Sequence, residues 1–217
     1  MRSSRVGIRN DTEGPPPGGG SDRSLPGPIP HTISGNACID FVNSRFSEHT
    51  GGGRIYDRLE LPEWREWFVE QCGLRPLGPI TAATLQELVR CRRLLRQLLE
   101  SRQTPSPSEM GVLNRWLGGP SLYWEITGGG AARSPVLRWR DHDWRALIAV
   151  VALAYARLLS EGRLGRVRRC ANPNCSFLFL DESPNRSKRW CDAAICGDLI
   201  AVRRHRSRAL GSGRARP

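Results

Sequence analysis

The apolar and polar positions divide the chain into a leader with no core pattern, a series of helical periods, and a short cysteine-rich end. Over residues 81 to about 102, Leu85, Leu88, Val89, Leu95, Leu98 and Leu99 recur at the three- and four-residue spacing of a helix that buries one face. Arg90, Arg92, Arg93 and Arg96 fall mostly off that stripe and read as a solvated face. Leu61-Pro62 opens another helix, with Pro at its first position, Trp64, Trp67 and Phe68 along one side, and Gly73 as its stop. Ser106-Pro107-Ser108-Glu109 is a capping box and predicts a short helix through Leu113, Trp116 and Leu117 to Gly118. A long apolar helix is predicted from Trp144 to Ser160, capped by Asp141 or Asp143.

Strand patterns are fewer. Residues 122–126 and 136–139 read as a hairpin joined by a Gly-rich loop at 128–133. That loop lacks GxGxxG order and leads into no helix, so it is not expected to cradle phosphate. The run Ala37-Cys-Ile-Asp-Phe-Val-Asn43 is compatible with a short strand or with the first turns of a helix. Residues 1–31, rich in Pro and Gly, cannot bury a core and are expected to be disordered, as is the tail at 211–217.

The four cysteines Cys170, Cys175, Cys191 and Cys196 change this picture. Two C-x4-C pairs separated by fifteen residues are what a tetrahedral metal requires. Four thiolates leave no open position, so the site is structural, with zinc expected and an iron–sulfur cluster as the rival. Asn172-Pro173-Asn174 supplies a turn whose amides would donate to sulfur. Residues 176–181 read as a strand, with Phe177 or Phe179 expected against Trp190, and residues 198–208 as a helix. A knuckle, a hairpin and a helix entered from the second pair make a treble-clef-like layout. The fold expected is therefore α+β: a mainly α-helical domain at 32–162 with a small β-hairpin, followed by a four-cysteine zinc module at 165–210. Cys38, Cys72 and Cys91 are scattered and read as buried packing.

Charge adds a partner. The chain carries 33 Lys+Arg against 21 Asp+Glu, a formal +12. Residues 163–217 hold 13 Lys/Arg against 4 acids, hence +9. Such asymmetry points to a polyanion, DNA first, contacted by Arg186, Lys188, Arg189, Arg203, Arg204, Arg206 and Arg208. The run 146–156 is too short to span a membrane. With no apolar signal segment in the first thirty residues and reduced thiols, a cytoplasmic location is expected. No acid/base pair, nucleophile constellation or cofactor loop suggests an enzyme.

Arg189-Trp190-Cys191 before Cys196-Gly197, with Phe179, Asp181, Ser183, Asn185 and Arg186 upstream, resembles the CGNR-type zinc finger. Residues 40–43 (Asp-Phe-Val-Asn), 57–59 (Asp-Arg-Leu) and 64–74 resemble the ABATE domain usually found ahead of that finger. The resemblance implies a bacterial stress-related transcriptional regulator, with zinc in the finger. The signature tetrad departs here: Cys196-Gly197 is followed by Asp198-Leu199, where the family usually has Asn and Arg. If the usual Asn is a helix cap, Asp198 serves equally; if the pair meets phosphate, a cation is lost. In the N-terminal domain, expected to sense a small-molecule effector or to form a homodimer, Asp40, Asn43 and Asp57 are the candidate ligand-binding polar groups, with capping and turn hydrogen bonds as the favoured alternative role. The alternatives to DNA binding are a zinc-stabilised protein-interaction adaptor and an RNA-binding protein.

Overall fold

The computed structural model describes residues 34–75, 77–120, 122–128, 134–140 and 143–212. The leader, the hairpin loop at 129–133, Asp141 and residues 213–217 lie outside these. The described residues belong to one compact unit.

The ambiguous run after Ser34 is a helix, α1 (Ala37–Val42), because Asn36 caps it: its side-chain oxygen accepts from the amides of Cys38 and Ile39 at 3.0 and 3.2 Å. A hairpin that the sequence pattern does not announce follows, β1 (Arg45–Ser47) paired antiparallel with β2 (Ile55–Asp57). Helix α2 (Pro62–Gln71) has Pro in its first turn. Helix α3 (Ala82–Ser101) starts at Thr81, whose hydroxyl accepts from the Thr84 amide, and stops at Arg102 in the left-handed region. Helix α4 (Pro107–Gly118) has both bonds of the Ser106–Glu109 capping box. The expected hairpin is present as β3 (Leu122–Thr127) and β4 (Ser134–Trp139). Of the two candidate caps of α5 (Trp144–Ser160), Asp143 does the work, accepting from the amides of Arg145 and Ala146.

The cysteine-rich end continues without a break in packing. Strands β5 (Val167–Arg169) and β6 (Leu178–Leu180) pair antiparallel, with Val167 opposite Leu180 and Arg169 opposite Leu178. A π-helical turn at Ala193–Gly197 leads into α6 (Asp198–Ser212). Helix α1 lies against α3, α5 and β6, and β5 lies against α3. One apolar cluster therefore holds Ile39, Phe41, Leu88, Leu95, Leu147 and Tyr155 together with Val167, Leu178 and Leu180.

All three β6 residues are buried, so the backbone edge that β5 does not cover needs a partner away from water. Asn43 supplies it. Its amide nitrogen donates to the Leu178 carbonyl at 2.8 Å, and its oxygen accepts from the Leu178 amide at 2.9 Å. The aromatic packing differs from expectation. Phe177 meets Phe46 (5.1 Å between centroids) and His49 (6.2 Å). Phe179 lies under the Lys188 ammonium. Among the described residues, no ring contact joins either to Trp190. Hairpin β1–β2, absent from the sequence pattern, occupies the face where Trp190 was expected.

The arginine run of α3 is not uniformly solvated. Arg92 is buried and forks onto Asp57, with its Nη1 also donating to Ser44 Oγ at 2.9 Å. A guanidinium at this depth persists because the bidentate carboxylate compensates its lost hydration. Cys38 and Cys91 are buried, and burial pushes their thiols up; that of Cys72 is pushed up to about 12. These three are packing groups, as expected.

Asn43→Ala leaves a buried amide and a buried carbonyl without partners. Each costs roughly 1–3 kcal/mol, so a loss of about 2–6 kcal/mol is expected in chemical denaturation. Asn43→Asp keeps the acceptor but sets a carboxylate oxygen against the buried Leu178 carbonyl, so it should also lose stability; equal stability of all three proteins would contradict this account of β6.

Candidate metal centre and basic groove

The first cysteine pair sits on the knuckle joining β5 to β6. The Cys170 amide donates to the Phe177 carbonyl at 2.9 Å, extending the hairpin, and the Cys175 amide donates to the Asn172 carbonyl, closing the turn. The second pair brackets the π-helical turn. Asp192 caps that turn by accepting from the Ile195 amide at 3.0 Å. The capping role expected for Asp198 thus belongs to Asp192. Asp198 is an exposed residue in the first turn of α6.

All four sulfurs are buried and lie within 4.8 Å of one another. Cys175 Sγ and Cys191 Sγ are 3.7 Å apart, as are Cys191 Sγ and Cys196 Sγ. Tetrahedral zinc with bonds of about 2.3 Å requires sulfurs about 3.8 Å apart. The donor set therefore fits the metal in number, softness and spacing. The protein's own dipoles also suit thiolates. Backbone amides of Cys191 and Phe177 donate to the sulfurs of Cys170 and Cys175, and the Asn172 side chain donates to Cys196 Sγ at 3.5 Å. Within the cluster, Cys175 and Cys191 are pushed up by sharing a proton with Cys170, which is itself held well below the usual thiol range by hydrogen bonds from Cys175 and Cys191. Four thiolates this close become compatible when a divalent cation neutralises them. Cys170, Cys175, Cys191 and Cys196 would hold zinc as a structural ion, which with four sulfur ligands would have no position for a reacting water.

The knuckle is tied to the β1–β2 loop. Asn172 Nδ2 also donates to the His49 carbonyl at 3.1 Å. Ser47 bonds to Ser176 Oγ through its amide and to the Asn174 carbonyl through its hydroxyl, both at 2.9 Å. Arg203 on α6 donates to the Thr50 carbonyl. Gly51 permits this approach: its φ is +99°, and a Cβ there would stand 2.9 Å from Asn174 Nδ2.

Between the knuckle and α6 lies a groove of about 500 Å³. Arg189, Arg203, Arg204 and Arg208 line it, with Trp190 and Ile200 in its wall. None of its lining residues is acidic. The Arg189 guanidinium lies 5.5 Å over the Trp190 ring. Gly197 lets that ring close against the turn, since a Cβ would meet Trp190 Cδ1 at 3.2 Å. Of the seven basic residues singled out in the sequence, four meet at this groove. Arg206 is exposed on α6 but does not line it. Arg186 and Lys188 belong to the polar turn after β6, which Asp181 organises by accepting from the Ser183 amide and hydroxyl and from Arg168. The sequence reading missed Pro173, Trp190 and Ser207 as groove residues. Trp190 beside Arg189 was the available signal.

The three polar residues singled out in the N-terminal part have internal partners. Asp57 holds Arg92 and accepts from the Leu59 amide, Asn43 holds β6, and Asp40 accepts from Ser34. None of the three lines the groove beside α6 or the cleft between α3 and the β1–β2 hairpin.

Together these elements define a helix-rich α+β protein whose C-terminal four-cysteine centre takes zinc. The family model of ABATE, described as a putative stress-induced transcription regulator, matches residues 35–162. That of the CGNR zinc finger matches residues 166–209. The chain belongs to the ABATE family and carries a CGNR zinc finger. No match was found among curated proteins. No described helix is long and apolar enough to cross a membrane.

Elemental analysis of the purified protein should find one zinc per chain. Because Leu178 and Leu180 belong to the main apolar cluster, removing zinc with a chelator should lower the melting temperature of the whole fold in a single transition. Separate melting of residues 34–162 at an unchanged temperature would refute that coupling.

Proposed function

We propose that the protein is a DNA-binding transcriptional regulator, in which the zinc centre holds the groove of Arg189, Arg203, Arg204 and Arg208 against the phosphate backbone, while the N-terminal part senses a ligand or forms a homodimer. The observation that carries this reading is the convergence of four arginines, from two separate segments and with Arg203 also held on the Thr50 carbonyl, on one groove built by the metal-held knuckle and α6. Such a groove binds phosphate through charge and adds sequence preference where one guanidinium reaches a guanine edge. The Leu199 side chain at the departed signature position is half-buried, and the exposed Asp198 is not among the residues lining the groove. Phosphate binding in this chain therefore falls to the groove rather than to the signature tetrad. The role is binding rather than catalysis, in the cytoplasm.

The test is anisotropy titration of genomic DNA fragments over a range of salt concentrations. Log affinity should fall linearly with log salt, by about 0.9 per phosphate neutralised. The double variant Arg204→Ala/Arg208→Ala should bind roughly tenfold or more weakly at low salt, with a slope shallower by about 1.8. A flat salt response, or unchanged binding by the variant, would count for a protein-interaction adaptor instead. Structured RNA outcompeting duplex DNA would move the assignment to RNA.

A further inference from the structure

A second cleft, of about 690 Å³, lies between α3 and the β1–β2 hairpin. Its volume is that of a small-molecule site. The half-buried Val89 and Ile55, 59 % exposed, offer it apolar surface, while Val42 and Phe46 at its floor are 0 % and 2 % exposed and already packed. Arginines surround this apolar surface. Arg92 and Arg96 are engaged, on Asp57 and on Glu100 with the Ser176 carbonyl respectively. Arg45 and Arg93 are exposed and make no ion pair or hydrogen bond among the described residues. Glu100 is the one acid among the lining residues and is held by Arg96. The cleft thus combines an apolar wall with two uncommitted guanidinium groups, one on each side.

We propose that this cleft is the effector site, and that it takes a small anionic amphiphile: an aromatic or aliphatic body against Val89 and Ile55, and a carboxylate, sulfonate or phosphate group between Arg45 and Arg93. The inference rests on the sensing half of the function proposed above and gives it a location. The cleft also reaches the finger. Arg96 in its wall donates at 2.6 Å to the carbonyl of Ser176, the residue after the zinc ligand Cys175. An occupant therefore lies against the contact that joins α3 to the knuckle. The polar residues Asp40, Asn43 and Asp57 play no direct part in it, because their side chains are bonded elsewhere.

The test uses the full zinc-loaded chain and 8-anilinonaphthalene-1-sulfonate, an anionic aromatic whose fluorescence rises in apolar surroundings. Saturable binding of one probe per chain is expected. The double variant Arg45→Ala/Arg93→Ala should bind it roughly tenfold or more weakly, with zinc content and melting temperature unchanged because both side chains are exposed. Arg204→Ala/Arg208→Ala, which alters the other basic groove, should bind the probe as the wild type does. Uncharged N-phenyl-1-naphthylamine should not distinguish the wild type from Arg45→Ala/Arg93→Ala. Val89→Trp, which fills the cleft without touching a charge, should abolish binding of both probes. The proposal is overturned by any of three results: no saturable site, equal affinity in the wild type and Arg45→Ala/Arg93→Ala, or loss confined to Arg204→Ala/Arg208→Ala. DNA is absent from every arm, so failure here is distinct from failure of the DNA-binding reading.

Discussion

Strand β6 is the constraint on which the rest of the molecule depends. Leu178, Phe179 and Leu180 are buried on both faces of the strand, in a core built mainly from helices. A short strand in that position must have its backbone groups satisfied on both edges, since a buried unpaired amide or carbonyl costs as much as a good hydrogen bond contributes. Strand β5 pairs with one edge and Asn43 bonds the other at Leu178. Once β6 is fixed against α1, the knuckle carrying Cys170 and Cys175 has one place to be. The second cysteine pair must come to it, and α6 leaves from there. Metal, groove and cleft are all positioned by how this strand is buried.

The finger is consequently not held by zinc alone. A module of this size has little core of its own, and a metal crosslink ordinarily supplies the missing free energy. Here Val167, Leu178 and Leu180 add the apolar surface of the helical part, and the β1–β2 loop adds polar contacts through Ser47, His49 and Thr50. The two sources stabilise the same segment. The basic groove is thereby held as a rigid surface, which suits recognition of a regular polyanion: little conformational entropy remains to be lost on binding. The cleft on the other side of hairpin β1–β2 is bounded by the same elements, so a molecule seated there meets α3, β1 and Ser176 together.

Much of this was legible in the chain because it is local. The capping box at Ser106, the cap at Thr81, Pro62 and the stripe of α3 depend on side chains within a turn or two of one another, and each predicted element is present within a residue or two. The four cysteines were legible for a similar reason, as ligand spacing is a chemical requirement on sequence. What was not legible involves partners far apart. Asn43 and Leu178 are separated by 135 residues, Asn172 and His49 by 123, and Arg92 and Asp57 by 35. Nothing near Arg92 marks it as the one arginine of its run to be buried, because the carboxylate that permits burial arrives from another element. Hairpin β1–β2 escaped for the same reason: three residues per strand carry too short a period, and its pairing is stabilised by the Phe46–Phe177 contact, which is tertiary.

By itself, then, the sequence determined the helices other than α1, the zinc ligands, the excess of positive charge at the C-terminal end and the family to which the chain belongs. These follow from short-range spacing, composition and residue chemistry. Only the tertiary structure decided which arginines face one another across a groove, which one is buried, and which two remain uncommitted beside an apolar cleft. It also decided that Asp192 rather than Asp198 caps the turn bracketed by the second cysteine pair, and that the polar residues of the N-terminal part brace the fold. The physical reason is that a charge or a hydrogen-bonding group acquires its role from its distance to its partners, and for these residues the partners are brought near only when β6 is buried.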